Sequence, residues 1–117
     1  MTDAKTTIKE LIEWVAAFEA ERDWRQFHSP KNLAMGLAIE TGELLEHFQW
    51  ISEDDSRAVT DDPKQMQQVR EEVADVLCYL LNLALVMGID LSEAFFDKMK
   101  QNEIKYPADQ YRGKYKL

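Results

Sequence analysis

The sequence predicts an all-α fold: a four-helix bundle-like protomer that oligomerises through its long apolar helices. Three observations carry this expectation. Apolar residues recur at helical spacing in four segments. No segment alternates apolar and polar residues with period two, as a half-buried strand would. Cap-then-proline pairs and a glycine mark segment ends, in a chain with only 4 Gly and 3 Pro.

The first helix is expected over residues 7–23. Thr7 and Glu10 stand in capping-box spacing, and Ile8, Leu11, Ile12, Val15 and Phe18 define one apolar face. The second starts at Ser29-Pro30, a cap followed by proline, and is expected to reach about residue 51 along Leu33, Leu37, Leu44, Phe48 and Ile51. Residues 52–62 hold five acids and one base, Arg57, and are expected to be a solvated connection. The third helix begins near Asp62-Pro63 and ends at Gly88. Its second half is apolar almost all round, from Val76 to Val86, and needs covering on every side. Four helices cannot easily supply that cover, so a homo-oligomer is expected, either a dimer or a dimer-of-dimers tetramer. The fourth helix starts at Asp90, with Glu93 in capping-box spacing, and ends near Tyr106-Pro107. It carries Leu91, Phe95, Lys98 and Asn102 on one face.

The length of 117 residues suits one domain, expected over 1–117 with a basic tail at 107–117. A composition of 45% hydrophobic and 31% charged residues is that of an ordinary globular chain. The net charge of −8 argues against nucleic-acid binding, which requires a basic face. A single cysteine, Cys78, allows no intrachain disulfide or cysteine zinc site and suits a reducing cytoplasm; within an apolar run it reads as an inert core thiol. The N-terminus lacks the layout of a signal peptide. The most apolar stretch, 73–87, is shorter than the ~20 residues of a membrane helix and is interrupted by Asp75 and Asn82, so no membrane span is expected.

The placement of certain acids is the informative feature. Leu33, Leu37, Glu40 and Leu44 step along one stripe, which puts Glu40 at a core-facing position with Glu43 one turn on. Glu72 and Asp75 repeat that spacing in the third helix, among Val69, Val73, Val76 and Tyr79. Unpaired buried carboxylates cost several kcal/mol each. The inward faces of these helices offer almost no Lys or Arg. A divalent cation offsets such a cluster, and all-oxygen ligation favours Mg²⁺ or Mn²⁺. A single E-x-x-E on a helix means little; two acid pairs on apolar faces are far less expected by chance.

Rival metal chemistries fit less well. Neither His28 nor His47 has a glutamate three residues before it, so the Glu-x-x-His of di-iron bundles is missing. Both histidines read as surface or structural residues. There is no H-E-x-x-H and no Walker A loop.

Taken together, Glu40-Thr41-Gly42-Glu43 and Glu72-Val73-Ala74-Asp75 resemble the paired acid motifs of the MazG-like, all-α nucleoside triphosphate pyrophosphohydrolase superfamily. Residues 21–33, 42–50, 75–79 and 98–102, with Tyr106-Pro107, are similar to the dCTP pyrophosphatase branch, and the likeness spans about residues 7–110. The resemblance implies hydrolysis of a (deoxy)nucleoside triphosphate, with dCTP or a related or modified dNTP foremost, to monophosphate and pyrophosphate, with Glu40, Glu43, Glu72 and Asp75 as Mg²⁺ ligands and one of them as base. It implies aromatic base contacts from Trp24 and Trp50, and more weakly from Phe27. Lys98 and Asn102 would then face phosphates and sugar, and Tyr79 the deoxyribose. It also implies a house-cleaning role. The same residues have plainer readings: Trp24 and Trp50 as core-edge aromatics, Lys98 as a snorkelling lysine, Tyr79 as core packing. Vertebrate members align a histidine with Val15, so base preference need not match theirs. The main rival is a non-catalytic helical protein that binds a partner or sequesters nucleotides, which would have no reason to bury four carboxylates.

Overall fold

In the computed structural model, which describes residues 1–116, long helices form where the apolar periodicity places them, and no strand occurs among the described residues. Helix α1 spans Ile8–Arg22. Its expected capping box is formed: the Glu10 N–H donates to Thr7 Oγ1 at 3.2 Å, and the Thr7 N–H donates to Glu10 Oε2 at 2.7 Å. Asp23, at φ 53°, ends the helix in the left-handed region, and a 3-10 turn follows at Arg25–Phe27. Helix α2 spans Pro30–Glu46, with Ser29 Oγ accepting from the Asn32 N–H.

The structure departs from the sequence pattern at two points. Helix α2 stops before residue 51, and the acidic stretch that follows is not a plain connection. It folds into α3, Glu53–Ala58, and a 3-10 turn, Val59–Asp61. Ser52 Oγ accepts from the Asp55 N–H, and the first turn holds Glu53, Asp54 and Asp55, where negative charge meets the positive end of the helix dipole. Because Ser52 starts a new helix, the chain must leave α2 before it. Arg57 bridges to Asp54 at 3.1 Å and Glu53 at 3.8 Å, and buried Val59 pins the segment to the core.

Helix α4 spans Pro63–Met87, capped by Asp62 and closed by Gly88 at φ 66°. Helix α5 spans Leu91–Lys105; the Glu93 N–H donates to Asp90 Oδ1, but the reciprocal half of the expected capping box is not formed. A short helix α6, Ala108–Tyr111, falls in the basic tail, with Tyr111 edge-on to Tyr106 at 5.2 Å.

Helices α1 and α2 both pack along α4. The α2–α4 pair runs antiparallel, and Gly36 is where it closes most tightly: a Cβ there would lie 2.3 Å from Tyr79 Cε1. Leu33, Val59, Leu81 and Ala84 form the buried apolar core. Helix α5 turns 101° from α4 and touches the packed unit only marginally. The radius of gyration is 17.3 Å, against about 13 Å for a compact chain of this length. The accessible surface is 9508 Å², against about 6,600 Å² for a compact monomer of this mass. Leu77, Leu80, Phe95 and Phe96 are among the large apolar side chains left exposed. Among the described residues, no single helix is long and apolar enough to cross a membrane.

Candidate active site

The antiparallel register of α2 and α4 builds the site one turn at a time. One turn beyond Gly36 comes Glu40, and one turn before Tyr79 comes Asp75; Glu43 and Glu72 follow on the same faces. Carboxylate oxygens of Glu40, Glu43 and Glu72 lie within 4.8 Å of one another. Glu40 and Glu72 are half-buried and Glu43 is exposed. Asp75, exposed like Glu43, stands outside this tight group and lines an adjacent cavity together with Glu40, so two of the four acids are not buried as the sequence led one to expect.

Like charges this close oppose ionisation. Partial burial pushes the Glu40 carboxyl up from 4.5, and the neighbouring Glu43, Asp75 and Glu72 add to it. Partial burial also raises Glu72, with Glu43 and Asp75 adding to the effect; His47, whose Nε2 lies 3.8 Å from Glu72 Oε1, pulls the other way. Glu40 Oε2 and Glu72 Oε2 are buried with no hydrogen-bond partner. A hard divalent cation fits these residues: every donor is a carboxylate oxygen, the group is compact, and two of its oxygens lack any other partner.

The cavity beside the cluster has a volume of about 300 Å³. Val15, Phe18 and Trp24 form one wall and Tyr79 with Asp75 another. Trp24 packs edge-on to Phe18 at 5.7 Å. Its most buried members are Glu19 and Asn82, 1% and 4% exposed. Glu19 Oε1 accepts from Asn82 Nδ2 and lies 2.5 Å from His28 Nδ1.

The family profile described as MazG-like matches residues 36–116, the span that holds all four acids. The chain belongs to the MazG-like family. It is 42% identical to dCTP pyrophosphatase 1 of Mus musculus over 107 residues, covering 92% of this chain and 63% of that protein. It is 41% identical to the Homo sapiens dCTP pyrophosphatase 1 over 102 residues, covering 87% and 60%. The chain thus spans less than two thirds of the length of these relatives. A crystal structure of a pyrophosphatase from Archaeoglobus fulgidus superposes with a TM-score of 0.80 at 42% identity, covering 92% of this chain and 98% of that one.

In this MazG-like chain the residues singled out from sequence are not all gathered. Trp24 and Tyr79 stand in the cavity with Glu40 and Asp75. Trp50, 86% exposed, projects from the turn after α2 and does not line it. Lys98 is exposed and Asn102 half-buried on the outlying α5, and neither lines it. Phe27 is exposed and also outside it. Val15 does line it.

Sequence reasoning passed over Glu19 and Asn82. The step Ile8, Ile12, Val15, Glu19 is the same spacing that exposed Glu40, and it was the available signal. Asn82 stood out only as a break in an apolar run. Neither histidine is a plain surface residue, since His28 contacts Glu19 and His47 approaches Glu72. Cys78 is not a core thiol either: it is solvent-accessible on the cavity wall. Desolvation, then the charges of Glu19, Asp75 and Glu40, push its thiol up from its ordinary value, which disfavours the thiolate.

Proposed function

We propose that this chain is a Mg²⁺-dependent nucleoside triphosphate pyrophosphohydrolase that cleaves between the α and β phosphorus atoms. The observation that carries this reading is the carboxylate cluster from two antiparallel helices beside a cavity walled by aromatic rings. Glu40, Glu43, Glu72 and Asp75 would hold the cation; Mn²⁺ is its natural substitute. When bound, the ion would neutralise charge developing on phosphate oxygens.

The chain's own residues do the rest. Trp24 and Tyr79 offer ring faces to a planar base and the sugar beneath it. Glu40 belongs both to the cluster and to the cavity wall, so it is the carboxylate best placed to orient a water and accept its proton. The names of the Mus musculus and Homo sapiens relatives support dCTP or a related deoxynucleotide as substrate. A house-cleaning role in the cytoplasm is part of the same proposal and rests on the family resemblance alone.

A homo-oligomer belongs to this proposal. The roughly 2,900 Å² of surface in excess of a compact monomer is on the scale of obligate interfaces. Outlying α5 and exposed Trp50 suit a site in which a second copy supplies Trp50, Lys98 and Asn102 to the neighbouring cavity. Phosphorus NMR of a dNTP and NTP panel with Mg²⁺ tests the reaction. Pyrophosphate and a monophosphate are expected; orthophosphate as the first product, or no turnover, overturns it.

A further inference from the structure

We propose that Glu19 and Asn82 form a buried acceptor pair that selects a base bearing an exocyclic amino group, cytosine over uracil. This inference rests on the pyrophosphohydrolase reading and deepens it. Glu19 comes from α1 and Asn82 from α4, and both line the cavity that Glu40 and Asp75 also line. Both are more than nine-tenths buried.

The hydrogen-bond inventory fixes their polarity. A carboxylate only accepts, so the Asn82 amide nitrogen must face Glu19 Oε1, as it does. The Asn82 carbonyl oxygen therefore turns elsewhere. Two acceptors remain, Glu19 Oε2 and Asn82 Oδ1, each buried and without a partner. Buried polar atoms in folded proteins are nearly always paired, and an orphaned pair calls for a ligand that brings donors.

An exocyclic amino group brings two N–H donors on one nitrogen. A keto oxygen at the same place would bring a third acceptor against two. The rings of Phe18, Trp24 and Tyr79 can only cover the faces of a base, so its edge is what the polar pair can read. Sites built to hydrogen-bond a substrate group reject analogues that lack it, because their own buried groups are then left unpaired.

The test is kcat/KM of the intact protein with Mg²⁺ for dCTP, dUTP and N4,N4-dimethyl-dCTP, whose amine carries no hydrogen. The expected result is that dCTP exceeds both others by about tenfold or more. Glu19→Gln should lower dCTP turnover by about tenfold and dUTP turnover less, collapsing the ratio. The dimethyl substrate needs no variant, so a misfolded Glu19→Gln protein leaves the test intact. Equal turnover of dCTP, dUTP and the dimethyl analogue overturns the inference while leaving the pyrophosphohydrolase reading standing; the pair would then merely hold structure or water. No turnover of any triphosphate removes both.

Discussion

Gly36 of α2 lies directly against the ring of Tyr79 of α4, so close that a Cβ would fall 2.3 Å from Cε1 and 2.8 Å from Cδ1 and Cζ. The contact sits one turn from Glu40 and Asp75 and sets the spacing on which the acid cluster depends. Gly36→Ala is therefore expected to destabilise by about 1–3 kcal/mol, as overpacking does. Tyr79→Phe keeps the offending ring atoms and should not rescue it, whereas Tyr79→Leu should in part. Thermal melts of the single and double variants check this.

The acid cluster should make the metal-free protein strained and the metal-bound protein stable. In EDTA, Glu72→Gln is expected to melt higher than the parent, because it removes one member of a repelling group. With Mg²⁺ at a hundredfold over its Kd the parent should gain about 2.7 kcal/mol, and the variant little. Melting curves with and without Mg²⁺ should cross between the two proteins; parallel curves would contradict the account.

The same electrostatics sets a pH dependence. Glu40 and Glu72 are raised above 4.5 in the folded chain, chiefly by partial burial and then by neighbouring carboxylates. A raised carboxyl lends stability that is fully present below its unfolded value and is lost as pH rises through its folded one. Metal-free stability from these groups should thus decline over the window that opens near pH 4.5 and extends upward. Mg²⁺ must displace the same protons, so its affinity should climb across that window. Glu10 and Asp62, lowered by hydrogen bonds to Thr7 and Gln65, act with the opposite sign, losing their contribution as pH falls. The difference between the parent and Glu40→Gln isolates the cluster, read as melting temperature against pH.

Trp24 provides a ring face at the cavity, packed edge-on against Phe18. Trp24→Ala should raise KM for the preferred dNTP by about tenfold, with a smaller change in kcat, the pattern of lost substrate contact. Steady-state kinetics decides it; a loss confined to kcat would reassign the residue.

Outlying α5 carries Phe95 and Phe96, 68% and 60% exposed. Sedimentation should give a mass that is a multiple of 13.7 kDa, and the double change Phe95→Glu with Phe96→Glu should shift it toward the monomer. A monodisperse monomer for the parent protein would leave the exposed apolar surface unexplained.

How much was legible in the sequence depended on whether a residue's signal was local. Caps and prolines placed the starts of α1, α2, α4 and α5, because a cap is a contact within one turn. Glu40 and Glu72 were legible because they break an apolar stripe. Segment 52–62 was misread: its acids look like solvent-facing residues, yet acids in a first helical turn stabilise that turn, and Val59 is what anchors it. Glu19, His28 and Asn82 meet only through tertiary packing of α1, the turn after it, and α4. Their partnership was invisible along the chain, although Glu19 shared the spacing that gave Glu40 away. The 101° turn into α5 was likewise not encoded in any pattern within α4 or α5.

The most direct measurement is the anomalous scattering of a Mn²⁺-loaded crystal. The account predicts a peak within about 2.0–2.2 Å of oxygens from Glu40, Glu43, Glu72 and Asp75. Strong Mn²⁺ peaks elsewhere with these four side chains turned apart, at saturating Mn²⁺, would contradict it.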